Sequence, residues 1–154
     1  MPTPPPSTTQ FDERLWPSPA TWLLAPGLGL GAGIAAVPFG TAAAVGLGVL
    51  AAVVVAALLA ATAPRVRVTD DVLEAGPARV PLALLGTPQA FTGEEARQER
   101  GPRLDARAYL LLRGWVDAVV RVPLEDPEDP TPYWLVSTRR PEELVDALMR
   151  TRRR

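Results

Sequence analysis

The chain has 154 residues, of which 47% are hydrophobic, and its 16 basic and 17 acidic side chains give a formal net charge of −1. This balance predicts no basic surface of the kind that nucleic acid requires, so no nucleic-acid partner is expected. The absence of Cys and His excludes disulfides, thiol nucleophiles, thiolate metal sites and the commonest general base. We therefore expect a non-enzymatic protein with no catalytic residue, metal or cofactor, although Ser, Tyr, Asp, Glu and Arg leave an enzyme disfavoured rather than forbidden.

Residues 1–14 are predicted to be a disordered and interfacial N-terminal segment. Residues 1–10 are rich in Pro, Ser and Thr, as in disordered tails. Asp12 and Glu13 are acidic where a signal peptide would be basic, so no cleaved signal is expected. The following residues, up to Trp16, resemble a short amphipathic approach to a membrane.

Residues 15–64 contain no Asp, Glu, Lys, Arg or His. One helix crosses the hydrocarbon core of a bilayer with about 20 residues, so this stretch is too long for one span and suits two. Pro38 and Gly40 interrupt it, and they predict helices over residues 20–37 and 41–62. The prediction is a transmembrane helical hairpin.

The first predicted helix contains four glycines at alternate positions, Gly27, Gly29, Gly31 and Gly33. They do not fit a phosphate-binding glycine loop, because Ala32 or Ile34 stands where the third glycine is needed and no strand precedes them. Glycines four residues apart let another helix approach closely, and Gly46 and Gly48 lie in the second helix. We expect the four glycines to pack against the second helix, with homo-oligomerisation as the alternative.

The flanking charges predict the orientation of this hairpin. Arg14 precedes it, Arg65 and Arg67 follow it, and the turn between the helices has no basic residue. By the positive-inside rule, a multi-pass protein of the cell membrane with both termini cytoplasmic is expected.

Residues 65–154 are predicted to form one small α+β domain. Alternation and turn residues predict strands over residues 65–69, 72–75, 78–80, about 84–91, 108–112, 115–124 and 133–137. The strands over 108–112 and 115–124 are expected to pair as a hairpin through Arg113 and Gly114.

Two charged segments of this domain are interpreted as solvated. A short helix is expected to begin at Thr92, with Glu95 in capping-box spacing, and to present its charged residues, including Glu99 and Arg100, to solvent. Residues 125–132 hold four carboxylates among prolines, which favours a rigid connection over a calcium loop.

The C-terminal helix is predicted to begin at Pro141. Arg139 and Arg140 lie just before it, beside amide groups that can help to hold an anion, and are the first candidates for contact with an anion or partner. The alternative is that they are solvated or pair with Glu142 and Glu143. Further candidates for lipid or partner contact close the chain, where helix-dipole pairing is the competing explanation: Arg150, Arg152, Arg153 and Arg154.

Five sequence blocks carry a family resemblance: ERLWP at 13–17, VRVTD at 66–70, GEEAR at 93–97, AYLLLRGW at 108–115 and DPTPYWLVSTRRP at 129–141. Together with the order of elements, they are similar to a family of small actinobacterial membrane proteins described as a domain of unknown function, DUF3093. The soluble part also resembles bacterial pleckstrin-homology-like (PH-like) domains, which implies an antiparallel barrel capped at one end by the C-terminal helix. The family resemblance implies no activity.

Two functions remain from the sequence. The first is a membrane-held binding module that presents its domain to a protein partner or to anionic lipid headgroups. The second is a structural subunit of a larger membrane assembly, packed through the Gly-rich hairpin. An enzyme would have to use Tyr109, Tyr133, Ser137 and acidic pairs, which have no catalytic spacing.

Overall fold

A computed structural model describes residues 9–152, and the side chains up to residue 151. Residues 1–8 of the predicted disordered tail, Arg153 and Arg154 lie outside the described residues. The chain forms two compact units. Trp16–Ala63 form the helical unit, and the described residues on either side of it form the α+β unit.

The helical unit contains α1 (Pro19–Trp22), α2 (Leu24–Ala36) and α3 (Thr41–Ala61). A 3₁₀ turn over Val37–Phe39 and Gly40, at φ 101°, separate α2 from α3. The two predicted apolar helices are therefore present, the first divided at Leu23. The stretches Pro19–Phe39 and Thr41–Ala61 are each 21 residues long and apolar enough to cross a membrane.

Only one of the two predicted glycine pairs faces the neighbouring helix. A Cβ added at Gly29 would lie 2.7 Å from the Gly48 carbonyl oxygen, and one at Gly33 would lie 3.1 Å from the Ala44 carbonyl oxygen. A Cβ at Gly27 or Gly31 would have nothing within 4 Å. The expectation that all four glycines pack on the second helix is corrected, because a shift of two residues rotates a position by about 200° around a helix.

One sheet of the α+β unit has the order β1 (Phe11–Arg14), β2 (Arg65–Val68), β3 (Val72–Ala75) and β4 (Ala78–Pro81), with each neighbouring pair antiparallel. Its first strand falls in the segment expected to be disordered or interfacial. Its inward-facing positions hold Phe11 and the charged Glu13, so the apolar–polar alternation of a half-buried strand is absent. Its partner strand also follows the whole helical unit in the chain.

The second sheet has the order β5 (Gln89–Phe91), β7 (Val119–Pro123), β8 (Tyr133–Ser137) and β6 (Tyr109–Leu111). The predicted hairpin between residues 108–112 and 115–124 is wrong, because β6 pairs with β8 in parallel and β7 pairs with β5 and β8. β8 lies between β7 and β6 in the sheet, so each of these two strands pairs with β8 and they do not pair with each other.

The α+β class is confirmed, but the two sheets do not close into the expected barrel. A barrel needs an unbroken ladder of hydrogen bonds around its circumference. Here the chain leaves β4 through a 3₁₀ turn over Leu82–Leu84, and the bridge between Leu85 and Leu124 lies outside the named strands. The ladder is therefore interrupted between β4 and β5.

Two helices complete the α+β unit, α4 (Gly93–Arg100) and α5 (Pro141–Arg152). α5 contacts strands of both sheets and buries Leu144, Ala147 and Leu148 in the core between them. Every residue of β8 is buried: Trp134 and Val136 lie in that core, and Tyr133 and Leu135 pack with Ala96 of α4. Thr92 precedes α4 without the predicted side-chain capping bond.

We expect Gly29→Ala to destabilise the pairing of α2 and α3. The new methyl group would meet the Gly48 carbonyl oxygen and the Ala52 side chain, and such overpacking costs about 1–3 kcal/mol. Gly31→Ala is the matched control, because its methyl group enters open space. Thermal unfolding of both full-length variants in mild detergent measures the difference, and equal melting temperatures would contradict the packing.

Candidate functional site

The corner between β8 and α5 holds an anion that belongs to the chain itself. Thr138 Oγ1 donates a hydrogen bond to Glu13 Oε2 at 2.5 Å, and the Arg139 backbone N–H donates to Glu13 Oε1 at 3.1 Å. Glu13 lies on β1 and is 8% exposed, so both oxygens of a buried carboxylate are bonded here. The sequence predicted an anion beside these amide groups, and an external anion would have to compete with Glu13.

The local sequence explains why donors converge on this point. Pro141 begins α5, and the Arg140 carbonyl oxygen accepts from the Leu144 N–H, so the chain turns into the helix at Arg140. The Arg140 N–H donates to Thr138 Oγ1 at 3.1 Å, which holds the threonine hydroxyl in place. The positive end of the helix dipole further favours a carboxylate near this end.

Arg140 also binds β1, through its side chain. Its guanidinium donates to the Asp12 backbone oxygen at 2.7 Å and to Glu143 Oε2 at 3.0 Å. It also lies 4.7 Å from the centre of the Phe11 ring, within range of a cation–π contact. Arg140 therefore combines the predicted pairing with Glu143 and a connection to β1.

Asp12 attaches β1 to its neighbouring strand. Its carboxylate accepts from Arg65 Nε at 2.7 Å and Nη2 at 2.6 Å, and Arg67 Nε lies 3.5 Å away without hydrogen-bond geometry. The hydrogen bonds from Arg65 lower the pKa of Asp12 below its ordinary value of 3.8. A lowered folded-state pKa gives stability that is present above the unfolded pKa and is lost as pH falls through the folded one.

We refer to these contacts of Phe11, Asp12 and Glu13 as the β1 clamp. Directly after β1, the Leu15 N–H donates to the Pro64 carbonyl oxygen at 2.9 Å, and Leu15 is fully buried. The chain enters and leaves the helical unit next to this bond. The β1 clamp therefore holds the point at which both connections leave the α+β unit.

Of the other predicted arginines, Arg139 and Arg150 have side chains among the described residues. Arg139 is exposed and contributes its backbone N–H, and Arg150 is exposed on α5. Arg152 ends α5, and Arg153 and Arg154 lie outside the described residues. The structure brings Arg139 and Arg140 to β1, where they contact Glu13 and Asp12 respectively, and leaves Arg150 exposed on α5.

A second buried carboxylate was missed by the sequence interpretation. The Glu99 side chain, expected to be solvated, is 3% exposed and lies 3.2 Å from Arg121 Nη1 and 3.4 Å from Arg103 Nη1. Arg121 also stacks on the Tyr133 ring at 4.0 Å. The available signal was Ala96, the one apolar residue of α4, because a residue three positions later lies on the same helix face.

Arg100 was also expected to be solvated, and it joins α4 to the loop before β7. Its guanidinium donates to the Val116 backbone oxygen at 3.2 Å and to the Asp117 backbone oxygen at 2.6 Å. Together with the buried Glu99, this contact shows that the expected solvated face of α4 is in part a packing face.

The hydroxyl groups considered for an enzyme lie in separate hydrogen bonds to the main chain. Tyr109 donates to the Ala75 oxygen at 2.7 Å, Tyr133 accepts from the Asp105 N–H at 2.8 Å, and Ser137 accepts from the Arg113 N–H at 3.1 Å. Burial raises the pKa of the Tyr109 hydroxyl, the group that donates to the Ala75 oxygen. These contacts give each hydroxyl a structural role.

The proline-rich acidic segment uses its carboxylates to form turns. Asp126 Oδ1 accepts from the Glu128 N–H, and Asp129 Oδ1 accepts from the Thr131 N–H, both at 2.9 Å. The bonds from Thr131 lower the pKa of Asp129. Within residues 9–152, no group of three or more acidic side chains is arranged to hold a metal ion.

We expect Glu13→Gln to weaken the β1 clamp. The amide removes the charge, and its NH₂ cannot accept from Thr138 or Arg139, so the variant should lose about 1–3 kcal/mol of stability. Urea unfolding of the full chain in detergent, followed by tryptophan fluorescence, measures this loss. Glu142→Gln, an exposed change in the first turn of the same helix, is the control and should cost less than about 1 kcal/mol. Equal losses would contradict a specific role for Glu13.

Comparisons with known proteins give the family of this chain. No curated protein and no solved structure matches it. The model of one family, described as a protein of unknown function (DUF3093), matches residues 10–148, from β1 almost to the end of α5. The match spans the helical unit, β1 and the residues at 138–140 that bind β1. The chain therefore belongs to the DUF3093 family.

Proposed function

We propose that this protein is a membrane-held, non-enzymatic binding module. The helical unit lies in the bilayer, and the α+β unit presents its surface to a protein partner or to anionic lipid headgroups. The observation that carries this proposal is the apolar exterior of the two paired helices. The whole of residues 15–64 contains no charged residue.

The exposed side chains of the helical unit support its place in lipid. Leu23, Leu30 and Ile34 are 64–70% exposed, and no residue of α3 is buried. A continuous apolar surface of this kind is unfavourable in water and is a feature of membrane or interaction surfaces. All backbone groups within a helix interior are also bonded internally, as a hydrocarbon environment requires.

The β1 clamp supports the role of the α+β unit as a presented module. β1 pairs with β2 and is bonded to residues at the start of α5. The two segments that connect to the helical unit therefore begin on neighbouring, fixed strands of the α+β unit. In this proposal, the exposed Arg139 and Arg150 make contacts at the cytoplasmic surface. The C-terminal helix packed on the sheets supports a PH-like layout, whereas the interrupted ladder and the parallel pairing of β6 with β8 depart from it.

One observation favours the alternative, a structural subunit of a larger membrane assembly. Gly27 and Gly31 face away from α3, and an apolar groove of about 500 Å³ along α2 and α3 is lined by residues such as Leu30 and Val45. Another helix packed on the open glycine pair would use the close approach that small residues allow.

The location is tested with single cysteines, which the Cys-free chain permits. Both termini are proposed to be cytoplasmic, because Arg14, Arg65 and Arg67 flank the hairpin. A Cys at Thr41 should react with an impermeant thiol reagent in intact cells, whereas one at Thr151 should react only after lysis. The reverse pattern would overturn the orientation, and equal reaction at both positions would overturn the hairpin.

The two functions are separated by cross-linking in native membranes and capture of the full chain. For a binding module, Gly31→Leu should retain the captured partners, whereas a joint change of Arg139 and Arg150 to Gln should reduce them severalfold. For a structural subunit, Gly31→Leu should remove them and the arginine changes should not. Gly31 is suited to this test because its substitution meets open space within the helical unit.

A further inference from the structure

The partners of the β1 clamp are distant from β1 in the sequence. Phe11, Asp12 and Glu13 pair with β2, and the carboxylates of Asp12 and Glu13 and the Asp12 backbone oxygen accept from residues at least 53 positions away. Each of these partners follows the helical unit in the chain. The β1 clamp therefore joins one short segment to a surface formed by later residues.

β1 is docked as a peptide is when it adds to the edge of a sheet. It is the edge strand of the order β1–β2–β3–β4, and its backbone pairs with β2. Alternate side chains enter the core, since Phe11 and Glu13 are buried and Leu15, directly after the strand, is fully buried. In this mode of recognition, backbone pairing supplies affinity and the pockets for alternate side chains supply specificity. The bound pattern is Phe-x-Glu-x-Leu in an extended segment.

The surface that receives β1 has an apolar part and a polar part. Val66 and Val68 of β2 and Leu144 of α5 belong to the same apolar core as Phe11 and Leu15. At the start of α5, a hydroxyl, a backbone N–H and a guanidinium bind the Glu13 carboxylate and the Asp12 backbone oxygen. We define the edge of β2 together with residues 138–144 as the strand site.

The helical unit separates β1 from the strand site in the chain. Four residues connect Arg14 to Pro19 of α1, and three connect Ala61 of α3 to Arg65 of β2. Because an extended chain spans at most about 3.6 Å per residue, paired β1 and β2 limit how far the start of α1 can lie from the end of α3. Paired helices conversely return β1 towards the strand site, which raises its effective concentration there.

We propose that β1 is a separable strand and that its docking in the strand site is a latch on the helical hairpin. Without paired helices, docking would have to close a loop of residues 16–63, at an entropic cost that the closed hairpin removes. The coupling is reciprocal, so docked β1 favours closed helices as much as closed helices favour docking. This inference goes beyond the proposed function, because it requires neither a bilayer nor a partner.

Release of β1 would open a binding surface of defined chemistry. It would leave the edge of β2 with unpaired backbone groups, which can pair with another strand. It would also free the Thr138 hydroxyl and the Arg139 N–H that now bind Glu13. The ligand class that fits this surface is an extended peptide with an apolar residue, Glu and an apolar residue at alternate positions.

The first test cuts the full chain in the turn between α2 and α3. A protease site inserted between Phe39 and Gly40 gives two fragments in mild detergent, with β1 on the first and the strand site on the second. Glu13→Gln should accelerate loss of the first fragment by about tenfold, because it removes the acceptor of two clamp hydrogen bonds. The exposed Glu142→Gln is the control and should leave the rate unchanged. Equal rates in the two variants would overturn the latch.

The second test supplies the strand from outside. The probe is a fluorescent peptide of residues 10–18, and its binding to the full chain is measured by anisotropy. In Glu13→Arg, a guanidinium would face the donors of Thr138 and Arg139, so the chain's own β1 should leave the strand site. This variant should bind the peptide about tenfold more tightly than the wild-type chain does. A peptide with Gln at position 13 should bind the variant about tenfold more weakly.

The outcomes of the peptide test are decisive for the strand site. Equal binding by the wild-type and variant chains, or no preference for Glu in the peptide, would overturn it. Absence of binding to a Glu13→Arg chain that keeps its far-ultraviolet circular dichroism would also overturn it. If Glu13→Arg does not fold, the rate of fragment loss decides, since that test needs only Glu13→Gln. Both measurements are made in detergent, so their failure leaves the proposed membrane location unchanged.

Discussion

The buried carboxylate of Glu13 is the contact on which the rest of the α+β unit depends. A charge with 8% exposure costs several kcal/mol unless it is bonded, and here the Thr138 hydroxyl, the Arg139 N–H and the helix dipole offset that cost. The same contact holds β1 beside α5, and β1 supplies the first strand of its sheet. The Glu13 side chain thus accepts hydrogen bonds from Thr138 and Arg139, just before the last helix, and fixes β1, the strand that leads into the helical unit.

Two of the sequence blocks that carry the family resemblance meet at this contact. Glu13 comes from the block at residues 13–17, and Thr138 to Arg140 come from the block at residues 129–141. Their meeting gives a structural reason for both blocks. It also changes the interpretation of Arg139 and Arg140, whose backbone and side chain bind groups of β1 and form the internal anion site suggested by the helix start.

The helical unit and the β1–β4 sheet are each held together by contacts between backbones that are distant in the sequence. Paired strands β1 and β2 bring both exits together through the bond between Leu15 and Pro64, and paired helices α2 and α3 meet through the backbone of Gly29 and Gly48. Glycine contacts therefore hold the helical hairpin together along its length, and strand pairing brings its two chain connections together within the α+β unit.

The sequence by itself determined the features that depend on neighbouring residues. The charge-free run and the break at Gly40 located both apolar helices, and Pro141 located the start of α5. Tertiary structure decided what depends on distant residues: the strand at Phe11–Arg14, the parallel pairing of β6 with β8, and the side of α2 that packs. For the candidate site, the sequence predicted an anion at the start of α5 but not its identity, because Glu13 and Thr138 are 125 residues apart. No local pattern encodes such a contact, since it exists only when the folded sheets bring both residues to one place.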